Sequence, residues 1–322
     1  MIKVLVTSPC DERSKEILES VKDIADITYT DGDSPEGIPA EYLNEAEIII
    51  GEPDIELLKQ APSLKLLQLA MAGTDKYTLS DGFPTGVILS NASGAFGGVI
   101  SQYAVGAILN ICHKFYKYRD NQKNSLWHDE GVEINLGGKR VLIVGAGNIG
   151  SSVAHKLSVF GTKNIGIRRN ISDIPPFFDE MHSLDELDSQ LPMADVVVAC
   201  IPNSDYTRHM FNERRFMLMK KDAVFVNVGR GALVVEDDLV KVLKGSHLAG
   251  AVLDVTETEP LPSDSPLWEI ENLIITPHIS GKSFGHSREI TDGIYKIAAE
   301  NIRNMAEGKP LRNVIDFKKF RK

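Results

Sequence analysis

Arg140-Val141-Leu142-Ile143-Val144-Gly145-Ala146-Gly147-Asn148-Ile149-Gly150 decides the fold. The apolar run before the first glycine has no polar alternation, as in a parallel strand buried on both faces. Residues 149–160 behind it repeat apolar positions at helical spacing. Between them stands G-x-G-x-x-G. In a strand-to-helix turn each glycine answers a different steric need: Gly145 permits the tight turn, Gly147 removes a Cβ where a pyrophosphate must approach, and Gly150 lets helix and strand pack closely. The new helix then offers backbone N–H groups to phosphate charge. A lone Gly-rich turn carries little information, but strand before and helix after make it a dinucleotide-binding signature.

Outward from this stretch, short apolar runs alternate with helical patterns. Strands are expected at 2–7, 47–50, 66–69 and 87–89, then at 140–144, 164–167, 196–199, 224–228, 248–253 and 273–275. Alternation of this kind implies βαβ units with right-handed crossovers. The pattern starts twice, near Ile2 and near Arg140, with one long helical stretch at 97–121 between and another at 284–305 near the end. The fold class is therefore α/β, with two doubly wound parallel-sheet domains. The expected division is 1–96 with 287–322, and 97–286, the second inserted in the first.

Composition narrows the function classes. The 322 residues hold 35 Lys plus Arg against 45 Asp plus Glu, a net charge of -10. This argues against nucleic acid as a partner, which needs clustered basic charge. It leaves room for a small anion held by a local Arg. No apolar run approaches the ~20 residues that span a bilayer, and the start, Met1-Ile2-Lys3-Val4-Leu5-Val6, reads as a strand rather than a signal peptide. Cys10, Cys112 and Cys200 are far apart and odd in number, with neither a disulfide framework nor metal-ligand spacing. No metal and no membrane are expected, and the cytoplasm is the expected compartment.

The end of the strand at 164–167 bears on cofactor choice. NAD-binding sites usually place an acid there, about 20 residues past the glycines, to bond the ribose hydroxyls. Here Arg168 and Arg169 stand instead. A guanidinium fits a 2′-phosphate and cannot accept a hydroxyl proton. The reading favours NADP(H), with NAD(H) as the alternative if both arginines are merely solvated. Asp173 would serve the ribose only if its loop folded back.

Three residues stand just past expected strands, where open α/β sheets bind ligands. Arg230, flanked by Gly229 and Gly231, has room to hold a carboxylate with its planar fork; an exposed turn arginine is the competing interpretation. Glu259 is one of three acids, with Glu257 and Asp254, in a loop that solvation alone would explain. His278, in Thr276-Pro277-His278-Ile279-Ser280-Gly281, is the one of eight histidines set in a Pro/Gly loop beyond a buried strand.

In order, the Gly-rich loop, Asn227-Val228-Gly229-Arg230-Gly231, Leu253-Asp254-Val255 followed by Glu259-Pro260, and Thr276-Pro277-His278 resemble the D-isomer-specific 2-hydroxyacid dehydrogenases. Ala72-Gly73 with Asp75, Trp127, and Ile201-Pro202 with Thr207 extend the resemblance over nearly the whole chain. The resemblance implies a Rossmann domain inserted in a flavodoxin-like substrate domain, with a hinged cleft between them. It implies Arg230, Glu259 and His278 as catalytic residues. Arg230 would hold the substrate carboxylate, His278 would exchange a proton with the C2 oxygen, and Glu259 would fix the imidazole tautomer. It places Ala72 and Gly73, with Arg230 and His278, at the substrate. Gly145, Gly147, Asn148, Ile149, Gly150, Arg168, Arg169, Ile201, Pro202, Thr207, Val228, Asp254 and Ser280 would then line the cofactor.

The implied activity is hydride transfer between NAD(P)H, NADPH preferred, and C2 of a small 2-ketoacid or D-2-hydroxyacid such as glyoxylate or hydroxypyruvate. D-3-phosphoglycerate dehydrogenase is the alternative enzyme, weakened by the absence of sequence after Lys322 for a regulatory domain. A non-catalytic nucleotide-sensing co-repressor is the alternative from another class. The family also implies a homodimer, served by the helix at 97–121 with Ile100, Ala104, Ile108, Ile111 and Phe115 on one face. Gln102 and Ala95-Phe96 depart from residues common in the family, and Arg168-Arg169 resembles its NADPH-using reductases.

Overall fold

A computed structural model describes residues 1–30, 38–169, 171 and 173–320. Among them twelve strands form two parallel sheets. The first holds β1 (Ile2–Val6), β2 (Ala25–Tyr29), β3 (Ile48–Ile50), β4 (Leu66–Gln68) and β5 (Ile88–Ser90) in the order β2-β1-β3-β4-β5. This is the flavodoxin-like order. The second holds β6 (Arg140–Val144), β7 (Lys163–Ile167), β8 (Glu180–His182), β9 (Val196–Ala199), β10 (Val224–Asn227), β11 (Gly250–Leu253) and β12 (Leu273–Ile275). Its order is β12-β11-β10-β9-β6-β7-β8. That is the doubly wound dinucleotide-binding arrangement, whose order reverses between β6 and β9.

The chain divides into two compact units, Met1–Phe96 with Lys282–Lys322, and Gly97–Gly281. Re-entry into the first unit falls at Lys282 rather than at 287. The helix Arg288–Ala306 that follows starts on Ser287, whose hydroxyl accepts the Ile290 N–H. It buries Tyr295, Ala298 and Ile302 against the five-stranded sheet.

Ten of the strands lie where the apolar runs place them. The two that the sequence reading does not foresee are β2 and β8, Ala-Asp-Ile-Thr-Tyr and Glu-Met-His. Both are sheet edges. Charged side chains blunt an edge against unwanted pairing, and they also erase the apolar run that marks an interior strand.

The long helical stretch is two helices, Gly97–Cys112 and Phe115–Lys123. Lys114 between them adopts a left-handed φ of 54°. The Asn110 side chain accepts the Tyr116 N–H at 3.0 Å and so starts the second helix from the end of the first. Ile100, Ala104, Ile108 and Ile111 are buried, and a Cβ on Gly250 would sit 3.0 Å from Ile111, so this helix lies tightly on β11. Phe115, expected on the same face, is 55% exposed because the break turns it away. Among the described residues no helix is long and apolar enough to cross a membrane, and no group of three His, Cys, Asp or Glu is arranged to hold a metal ion.

Candidate active site and cofactor-binding loops

The Gly-rich loop connects β6 to the helix Asn148–Ser158. Two of its glycines are demanded by the protein itself. Gly145 has φ 110°, and a Cβ there would stand 2.7 Å from the Cys200 carbonyl; a Cβ on Gly150 would stand 2.3 Å from the Gly145 oxygen. Gly147 is different, because a Cβ there would meet nothing within 4 Å. The chain leaves open space where a phosphate must approach, and the helix Asn148–Ser158 begins at that glycine with no side-chain cap hydrogen bond. These residues fit a dinucleotide pyrophosphate. Asn148 and Ile149 form the first turn of this helix.

On the other side of the strand-order reversal, the loop after β9 carries Ile201 and Pro202. Thr207 is buried, and its hydroxyl donates to the Pro202 carbonyl at 2.8 Å while pairing with Ser204 at 3.0 Å. It shapes this loop from inside.

At the end of β7, Arg168 Nη2 donates to the Asp173 carbonyl at 2.6 Å and to its carboxylate at 2.5 Å. Asp173 thus comes back onto Arg168 and turns its carboxylate to the arginine. Arg168 Nε is buried with no protein acceptor, so one guanidinium donor is left for an incoming anion. The Arg169 guanidinium lies 5.3 Å from the Tyr206 ring centroid, a cation–π arrangement between the loops after β7 and β9.

Arg230, Glu259 and His278 follow β10, β11 and β12, three adjacent parallel strands, so their loops emerge side by side from one sheet edge. Each loop is tied to the next. Asn227, fully buried at the end of β10, donates to the Arg230 carbonyl at 2.9 Å and accepts the Gly229 N–H at 3.0 Å. Val228 between them is buried. A Cβ on Gly231 would come within 2.0 Å of the Thr256 carbonyl, so only glycine lets the Arg230 turn rest on the Glu259 loop. The Thr256 N–H in turn donates to Glu259 Oε1 at 3.1 Å.

The second carboxylate oxygen of Glu259 lies 2.8 Å from His278 Nδ1. This bond assigns the proton to Nδ1 when the ring is neutral and points Nε2 outward. Of the acids in that loop, Glu257 has other partners: it accepts from Arg208 at 2.7 Å and pairs with His209 at 2.8 Å. Geometry thus separates two acids that composition alone leaves equivalent. His278 is 48% exposed and Glu259 39%, so the pair is open to a ligand.

His278 adopts φ 52°, a left-handed conformation that costs a non-glycine residue roughly 1–2 kcal/mol. Asp254 holds it there. The Asp254 carbonyl accepts the His278 N–H at 2.8 Å, and its carboxylate accepts the Ile279 N–H at 2.9 Å and the Ser280 N–H at 3.0 Å. Asp254 is 1% exposed, so this clamp works out of water, where each such bond is strongest.

Ala72 and Gly73 lie in the first unit on the loop after β4, where Asn91 Nδ2 donates to the Ala72 carbonyl at 2.7 Å. Among the other histidines, His113 pairs with Glu133, His155 stacks on Phe177, His182 pairs with Glu180 and Glu186, and His247 meets the Met219 carbonyl. The sequence reading does not single out Asn227 or Thr276. Asn227 carries a legible signal, a lone amide closing an otherwise apolar strand.

The fold agrees with known proteins. The D-isomer specific 2-hydroxyacid dehydrogenase, NAD binding domain, matches residues 105–280. A glyoxylate reductase of Thermofilum pendens is 30% identical over 80% of this chain and 76% of its own. A D-3-phosphoglycerate dehydrogenase of Methanocaldococcus jannaschii is 29% identical over 98% of this chain, which spans 60% of that protein. The crystal structure of a D-isomer specific 2-hydroxyacid dehydrogenase from Xanthobacter autotrophicus, in complex with NADPH and MES, superposes with a TM-score of 0.85 at 25% identity, covering 98% of each chain. The chain belongs to the D-isomer-specific 2-hydroxyacid dehydrogenase family. It is an NAD(P)-dependent oxidoreductase acting on small 2-hydroxyacids or their ketoacids.

Proposed function

We propose that the protein is an NADPH-preferring reductase of small 2-ketoacids such as glyoxylate and hydroxypyruvate. The observation that carries the chemistry is the His278 Nδ1–Glu259 pair at 2.8 Å, which leaves Nε2 as the proton donor. When bound, the nicotinamide supplies the hydride. His278 gives its Nε2 proton to the C2 oxygen as the carbonyl is reduced, and takes it back in the reverse direction. Glu259 orients the ring and stabilises its charged form. Arg230 holds the substrate carboxylate through its fork and polarises the carbonyl. Asp254 keeps the histidine loop in place. The resemblance to a glyoxylate reductase supports the substrate class.

Arg168 and Arg169 support NADP(H). The buried, partnerless Nε of Arg168 suits a 2′-phosphate, and Asp173, already bonded to Arg168, would shift to share it. Steady-state oxidation of NADPH and NADH with glyoxylate, hydroxypyruvate and phosphohydroxypyruvate tests the whole reading. NADPH with an unphosphorylated ketoacid is expected to give the highest kcat/KM. Best turnover with phosphohydroxypyruvate would favour the phosphoglycerate reaction, and tight NADPH binding without any turnover would favour a nucleotide sensor. Arg168→Asp is expected to move the NADPH/NADH ratio of kcat/KM at least tenfold toward NADH. An unchanged ratio would remove Arg168 from cofactor selection.

A homodimer is part of the proposal. Trp127 is fully exposed, with Leu126 at 54% and Val132 at 90%, an apolar arm suited to cover by a second copy. Sedimentation equilibrium is expected to give about twice the 35.4 kDa chain mass; a monomer at micromolar concentration would contradict this. The three free cysteines support a cytoplasmic, reducing setting, and fractionation that places the protein outside the cytoplasm would contradict it.

A further inference from the structure

The clamp on His278 continues into the long helix Gly97–Cys112. Thr276 Oγ1 donates to Asp254 Oδ1 at 2.6 Å, and the Tyr103 hydroxyl lies 2.6 Å from Thr276 Oγ1. The direction of this chain follows from counting protons. The Asp254 carboxylate already accepts two N–H groups and acts as an acceptor, so it takes the single Thr276 hydroxyl proton. Tyr103 must therefore donate to Thr276. Burial pushes the Tyr103 hydroxyl up to about 12, which keeps its proton in place throughout the neutral range.

Resting on the reading of His278 as the proton donor, we propose that Tyr103 is a positioning residue for it, acting through Thr276 and Asp254. Its ring is anchored in a helix whose Ile100, Ala104 and Ile108 are buried, so the hydroxyl is a fixed point. Thr276 relays that point to Asp254 Oδ1. The same oxygen accepts the Ile279 N–H, and its companion accepts the Ser280 N–H. Without the Tyr103 proton, Thr276 Oγ1 loses a donor and its rotamer is no longer pinned. Asp254 then loses a constraint on its own side-chain angle. The left-handed backbone at His278 has the most to gain by relaxing, and a shift of a fraction of an ångström at the imidazole is enough to slow proton transfer. Tyr103 is 173 positions from Thr276 in the chain, so only the fold brings this support to the site.

Tyr103→Phe keeps the ring and removes only the donor. Two readouts on the full-length protein separate the relay from the enzyme reading: amide hydrogen exchange at Ile279 and Ser280, and steady-state kinetics with NADPH and glyoxylate. The expected result is lost protection at those two amides, unchanged protection in β1 and β3, kcat lower by about tenfold and the KM for NADPH within about twofold. Thr276→Val is expected to do the same, and Thr276→Ser, which keeps the hydroxyl, to recover most of the loss. Wild-type protection in Tyr103→Phe and Thr276→Val overturns the relay, and so does wild-type kcat. A general loss of protection that Thr276→Ser does not recover assigns the chain to fold stability and also overturns it. Should the wild type turn over no ketoacid, the reading of the enzyme fails, and the exchange data alone still decide whether Tyr103 supports the loop.

Discussion

His278→Ala is expected to lower kcat for ketoacid reduction by roughly 10²–10⁴-fold, the usual contribution of a positioned general acid, with NADPH affinity nearly unchanged. The imidazole is exposed on one side and bonded by Glu259 Oε2 on the other, so its removal leaves the C2 oxygen without a donor. It also frees Glu259, whose Oε1 stays bonded to the Thr256 N–H, so the loop after β11 keeps one of its ties. Nothing in the core depends on this side chain, and cooperative unfolding is expected to survive. Stopped-flow traces of NADPH fluorescence would separate binding from chemistry. A kcat within threefold of wild type would mean that the proton comes from another group.

Arg230→Ala is expected to lower kcat/KM for glyoxylate by roughly 10²–10³-fold, the scale seen when a fixed electrostatic donor is removed from a site. The Asn227 Nδ2 bond, which goes to the carbonyl of residue 230, would remain, while the Arg230 Nη1 bond to the Gly229 carbonyl at 2.7 Å would be lost with the side chain. The loss reports the guanidinium, whose contacts include the Gly229 carbonyl. Arg230→Lys restores charge without the planar fork and is expected to recover only part of the loss. Steady-state kinetics across a glyoxylate series measures both. Near-normal values for the alanine variant would release Arg230 from carboxylate binding.

The strands that carry the Gly-rich loop, Arg230 and Glu259 are legible because they are interior, whereas the edge strand β12 ahead of His278 is legible because its three residues are all apolar. β9 and β11 are apolar throughout, and β6 and β10 depart only at one end, at Arg140 and Asn227, which is what burial on both faces demands. The edges β2 and β8 are not, since half their surroundings are water. The break at Lys114 was equally hidden: Asn110, a residue that caps as readily as it sits within a helix, decides it through one bond to the Tyr116 N–H. In the site, Arg230 and His278 stand out by position after strands, and Gly145 and Gly150 by spacing. Only the resemblance through Glu259-Pro260 picks Glu259 over Glu257 in the chain; the physical reason, Arg208 and His209 arriving at Glu257 from another loop, is not visible there. The Tyr103–Thr276 bond is likewise a product of packing, since tyrosine within a helix ordinarily marks only a core or surface position.

The fate of the transferred hydrogen tests the central claim most directly. Hydroxypyruvate is incubated with the protein and NADPH deuterated at both nicotinamide C4 positions, and the product is resolved by chiral chromatography and mass spectrometry. The expected product is D-glycerate with one deuterium on C2. L-glycerate, or a C2 hydrogen drawn from solvent, would contradict hydride delivery to a ketoacid held by Arg230 and protonated by His278.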